Sequence, residues 1–145
     1  MKARETESRS ANRPDVVADF VYAEGCLFFS VRNIGLAPAR SVVVKFKPAI
    51  HGAQGTFSRL RVFQGISFMA PGRELKLFVD SSGTYFKSKE PKRVTTRVSW
   101  QDEGRGEFSR TSEHDLEIYR EFPEALQIKA SLTETAIRTG APGGT

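Results

Sequence analysis

The chain has 145 residues, 39% of them hydrophobic and 27% charged, the length and composition of one globular domain rather than of a disordered or membrane-embedded chain. A single cysteine, Cys26, excludes an internal disulfide. The formal net charge of +5 comes from basic residues spread along the chain, with no aromatics interleaved among them, which argues against a nucleic-acid-binding sheet.

Residues 1–13 are polar and aperiodic and read as a flexible N-terminal arm. Residues 1–15 hold no apolar run of the kind a secretory signal needs, so a cytoplasmic location is expected. The longest apolar stretches run four to five residues, against the roughly 20 of a membrane helix. No membrane insertion is expected.

Residues 15–22 (DVVADFVY) predict a first strand and residues 23–25 a turn. Residues 26–33 (CLFFSVRN) predict a second, with Leu27, Phe29 and Val31 on one face and Phe28, Ser30 and Arg32 on the other. Gly and Pro punctuate the connection over residues 34–40. Residues 41–47 (SVVVKFK) predict a third strand: Val42, Val44 and Phe46 point one way, Lys45 and Lys47 the other. Between 49 and 69 glycines interrupt the pattern; residues 60–63 read as a short edge strand and 66–69 as another. After the turn Ala70-Pro71-Gly72, residues 75–80 alternate with Leu75, Leu77 and Val79 inward. Residues 81–91 read as a loop carrying Tyr85 and Phe86. Residues 93–100 place Val94, Thr96, Val98 and Trp100 on one face. Residues 102–105 suit a hairpin turn, and residues 106–112 and 115–119 finish the sheet.

Seven to eight short strands with no helical pattern between them predict an antiparallel β-sandwich of immunoglobulin-like type. The expected core comprises Leu27, Phe29, Val31, Val42, Val44, Phe46, Leu75, Leu77, Val79, Val94, Val98, Trp100, Leu116 and Ile118. Residues 123–139 differ: Ala125, Ile128, Leu132 and Ala136 recur at helical spacing, which predicts a C-terminal amphipathic helix. The expected layout is an arm over 1–13, a sandwich over 14–120, and a helix with a flexible end over 121–145.

The run from Arg32 through Asn33, Ile34, Gly35, Leu36, Ala37, Pro38, Ala39, Arg40 and Ser41 to Val42 resembles bacterial immunoglobulin-like domains of the CARDB type. Those carry an Asn-x-Gly turn after the second strand and a small residue before a Val-rich third strand. The Ala70-Pro71-Gly72 turn is similar to that family's turn before a later strand. The resemblance covers roughly residues 14–119. It implies a sandwich used for adhesion, assembly or as an accessory module, often within surface proteins, and no catalytic residues. Gly35 is expected to supply a positive φ in the turn.

Few residues offer chemistry. His114 lies between Glu113 and Asp115, but neighbours along a strand point to opposite faces, so the three read as a turn or bulge rather than a ligand set. Cys26, flanked by Gly25 and Leu27, reads as a packed thiol rather than a nucleophile. Asp102 and Glu103 suit a turn better than calcium, which takes six or more oxygens. The cluster over residues 87–93 reads as a solvated loop. The expectation is a protein with no enzymatic activity, no cofactor and no metal.

Phe28 and Phe78 face away from the core and, on neighbouring strands, would form one outer apolar patch. The helix carrying Ile128 and Leu132 is the cover expected for it. Phe28, Phe78, Ile128 and Leu132 are thus the expected partner-binding residues of an interaction or structural module, with a protein partner or self-association. The alternative is a carbohydrate- or polymer-binding module using exposed Tyr85 and Phe86.

Overall fold

Period-two alternation builds the long strands. The computed structural model describes residues 12–122. Among these it has seven strands: β1 (Val16–Ala23), β2 (Cys26–Asn33), β3 (Ala39–Lys47), β4 (Ile66–Met69), β5 (Glu74–Ser81), β6 (Arg93–Gln101) and β7 (Glu107–Asp115). They form two antiparallel sheets, ordered β1-β2-β5 and β4-β3-β6-β7. The sheets face each other across one apolar core, a sandwich-like arrangement.

Phe29 sits at the centre of that core. Its ring lies 4.9 Å from Phe20, 4.9 Å from Phe46 and 5.6 Å from Phe63. Burying such a side chain contributes about 1.5–3 kcal/mol, and the edge-to-face geometry adds to it. Leu75, Leu77 and Phe46 are only partly buried and pack at the rim of the core.

Side chains lace one flank of the sandwich, where β1 and β7 belong to different sheets. Arg110 pairs with Asp15 at 2.7 Å, His114 meets Asp19 at 3.3 Å, and the Tyr119 hydroxyl donates to the Phe20 carbonyl at 3.0 Å.

Several expectations need correction. Residues 60–63 form no strand: two 3-10 helices, Phe57–Arg59 and Arg61–Gln64, occupy the stretch and bury Phe57 and Phe63. The expected loop over 81–91 contains a helix, α1 (Ser82–Lys87), whose N-terminus is capped by the Ser81 side chain accepting from the Thr84 amide. Residues 115–119 leave the sheet: Leu116–Tyr119 is a 3-10 helix, so Leu116 is buried while Ile118 is 58% exposed and is not a core residue. The expected C-terminal helix, with Ile128 and Leu132, lies outside the described residues.

Gly35 has no positive φ. It is small for a different reason: a Cβ there would lie 2.3 Å from the Arg13 carbonyl oxygen and 2.5 Å from the Asp15 nitrogen. Asn33 sets this close approach. Its buried side chain accepts from the Asp15 and Gly35 amides and donates to the Ala37 and Met69 carbonyls. All four partners of one amide group are supplied, which pins three segments together.

Candidate functional site

β2 turns Phe28 outward because Leu27 and Phe29 turn inward. A bulge at Leu27/Phe28 then sets the register that places Phe28 opposite Phe78 of β5. The two rings meet edge to face with centroids 5.8 Å apart. Both are half-buried. On the other side of Phe28 stands Val21 of β1, so the row Val21–Phe28–Phe78 crosses the whole sheet. The Lys76 ammonium lies 4.8 Å from the centre of the Phe28 ring. Next along the sheet, the Ser30 hydroxyl donates to Glu74. The face is therefore an apolar band with a polar border.

The described chain ends beside this sheet. Phe122 packs at 5.3 Å on Tyr22 of β1 and at 5.2 Å on Tyr119, and Tyr22 and Tyr119 stack at 6.2 Å. Burial, with the Asp19 charge, raises the Tyr119 hydroxyl pKa, so the group stays a neutral donor to Phe20.

His114 is neither in a turn nor in a bulge. It stands in β7 with an almost buried ring, 5.2 Å from Phe20. One ring nitrogen lies 2.8 Å from the Thr96 hydroxyl and the other 3.3 Å from the Asp19 carboxylate. Burial lowers the His114 pKa, and Asp19 opposes that only in part. Carboxylate, imidazole and hydroxyl are connected in the order of a nucleophilic triad. Thr96, however, is 0% exposed, so no substrate carbonyl reaches its oxygen. The trio joins β1, β6 and β7.

Other candidates are used up locally. The Asp102 side chain accepts from the Gly106 amide at 2.7 Å and Glu103 pairs with Arg40 at 3.0 Å, so this carboxylate pair shapes and anchors the β6–β7 turn. Cys26 begins β2, half-buried, opposite Ala23 and Ser81. Among the described residues no cluster of three His, Cys, Asp or Glu is placed to hold a metal. Tyr85 is no exposed binding platform: it is 1% exposed and its hydroxyl donates to the Pro91 carbonyl at 2.7 Å. Desolvation first, and the Glu90 charge second, push its pKa upward. Phe86 is half-buried, with Arg120 5.2 Å from its ring centre. The basic loop is partly internal too, since Lys92 donates to the carbonyls of Tyr85, Ser88 and Glu90.

Sequence reasoning missed one feature. The β2–β3 connection presents Ile34 and Leu36 at 51% and 69% exposure from a backbone fixed by Asn33. Alternation has no meaning in a loop, so no periodic signal marks them.

The family of DUF8453, described as a domain of unknown function, matches residues 1–120, and the chain belongs to it. No curated protein and no solved structure matches the chain. No helix among the described residues is long and apolar enough to cross a membrane.

Proposed function

We propose that this protein is a non-enzymatic interaction module, an immunoglobulin-like sandwich that binds through the outer face of β1-β2-β5. The observation that carries the reading is the Phe28–Phe78 pair, in register and edge to face on the side of the sheet away from the core. Full burial of an aromatic side chain is worth roughly 1.5–3 kcal/mol, and these two half-buried rings forgo a part of it, so such a band usually has a cover. The strand order supports the immunoglobulin-like type: the second and fifth strands are neighbours in one sheet, and the third, sixth and seventh in the other. The occupant is the segment 123–139, with Ile128 and Leu132 on its apolar side, from the same chain or a second copy. Phe122 ends the described chain at the β1 edge of that sheet, packed on Tyr22, the neighbour of Val21 in the aromatic row and turned to the opposite face, so the segment that follows has only the β1 edge to round.

Truncation after Phe122 tests this. The shortened chain is expected to bind an environment-sensitive dye and to lose solubility or self-association in light scattering. A truncated chain with unchanged dye binding, solubility and size would refute the reading.

A further inference from the structure

The outer face of β4-β3-β6-β7 has a different chemistry. Lys45 of β3 lies directly opposite Arg97 of β6, and Arg97 lies opposite Thr111 of β7. Lys45, Lys47 and Arg97 are exposed, and neither Lys45 nor Arg97 enters an ion pair among the described residues. Like charges directly opposite each other destabilise a strand pair. A sheet that keeps two uncompensated cations in register pays for a charge arrangement that an anion would relieve.

The surroundings offer hydroxyls and further cations on β3 and β6, with the carboxylates confined to β7. Two shallow clefts flank the pair along the strands. One, of about 510 Å³, is lined by Arg97 with the hydroxyl residues Ser41, Ser99 and Ser109, and by Glu107 at its β7 side. The other, of about 720 Å³, is lined by Lys47, Arg93 and Thr95 and, on its β7 side, by Glu113, His114 and Asp115. Ser41 sits at the bulge of β3 with φ of 51°, a left-handed conformation that costs energy for a non-glycine residue and often marks a functional position. The acids of this face, Glu107, Glu113 and Asp115, are all on β7, at one border, and Asp115 is 3.9 Å from Arg93.

We infer that this face binds an acidic peptide segment of a partner protein, in extended form, with its carboxylates on Lys45, Arg97 and Lys47. The geometry favours a peptide. Lys45 and Lys47 are two residues apart on one strand face, about 6.7 Å, which is the spacing of same-side carboxylates on an extended chain. The rows from Val43 to Lys47 span about 13 Å, the length of four extended residues. Nucleic acid fits less well, because the β7 border is acidic and Phe68 of β4, 45% exposed on this face, already has the Arg40 guanidinium 5.2 Å from its ring centre. The inference concerns the sheet opposite to Phe28 and stands apart from the function proposed above.

The test uses the full chain and a fluorescein-labelled octapeptide of alternating Glu and Ser, read by anisotropy. Binding is expected at low salt and is lost near ~1 M salt, where the screening length falls to about 3 Å. Lys45→Glu and Arg97→Glu each weaken it by about tenfold or more, whereas Lys89→Glu, with the same change in net charge, changes it by less than about twofold. Lys45→Glu also raises Tm by roughly 1–4 °C, because it turns a repulsive cross-strand pair into an attractive one, so lost binding is not lost folding. No binding at low salt, or equal loss in Lys45→Glu and Lys89→Glu, overturns the inference. Tighter, Lys45-dependent binding of a single-stranded oligonucleotide overturns it in favour of nucleic acid.

Discussion

The outward faces of the two sheets are made by the same alternation and differ in kind. On β1-β2-β5 the central row is Val21–Phe28–Phe78, apolar across three strands. On β4-β3-β6-β7 the central row is Lys45–Arg97–Thr111, with hydroxyls on either side. Both sheets bury the same kind of inner face, so stability does not require the difference. A sheet needs one apolar face to fold, and a solvated second face needs only to be polar. The basic face meets that requirement and exceeds it by setting like charges in register. The aromatic face does not meet it. Each departs from what folding alone demands, in opposite directions, and that is why each is read as a contact surface.

The largest effect separates inner from outer positions. Phe28 and Phe29 are consecutive, yet Phe29 is fully buried among Phe20, Phe46, Phe57 and Phe63. Phe29→Ala should cost about 3–5 kcal/mol in urea unfolding. Phe28→Ala should cost well under half of that in a chain truncated after Phe122. Equal costs in that chain would mean that Phe28 belongs to the core and that the aromatic face is no surface.

A smaller effect concerns the hub that both sheets share. Gly35→Val must push the Arg13–Asp15 backbone away from the β2–β3 connection, and should cost about 1–3 kcal/mol. Melting that is unchanged would show that this end of the sandwich yields freely.

The flank joining the two sheets should respond to pH. Burial holds the His114 pKa below its ordinary value of about 6.5. The folded state therefore binds fewer protons than the unfolded one between the two values. Stability is complete above about pH 6.5 and falls as pH drops through the folded pKa. His114→Gln should flatten that part of the stability profile. If wild type and His114→Gln lose stability alike between pH 7 and 5, as roughly spanned by histidine titration, His114 is not the responsible group.

The smallest effect lies on the basic face, where Lys45→Glu should stabilise the chain by about 0.2–1 kcal/mol. Destabilisation in chemical unfolding would mean that Lys45 is already neutralised.

Much of this was legible in the sequence where side chains alternate. β1, β2, β3, β5 and β6 follow their period-two runs, and the outward position of Phe28 and Phe78 follows from Leu27 and Val79 being inward. Alternation assigns faces but not register. The Lys45–Arg97 opposition depends on how β3 slides against β6, and on the bulge between Arg40 and Val43. The stretch from Ile50 to Gln64 was illegible for another reason. Phe57 and Phe63 reach the core from 3-10 helices, whose threefold repeat matches neither the strand nor the α-helix period. Ile118 misled similarly, since it lies on a 3-10 helix that buries Leu116 two positions earlier. His114 was isolated in sequence because its partners, Asp19 and Thr96, come from other strands.

A double-mutant cycle measures whether segment 123–139 and the Phe28–Phe78 face meet. The full chain, the chain truncated after Phe122, the Phe28→Ser/Phe78→Ser variant, and the truncated variant are unfolded in urea at one protein concentration. If segment 123–139 covers the aromatic face, truncation costs the wild-type chain more than it costs the serine variant, with a coupling of about 1 kcal/mol or more. If the two losses add to within about 0.3–0.5 kcal/mol, the segment and the Phe28–Phe78 face do not meet.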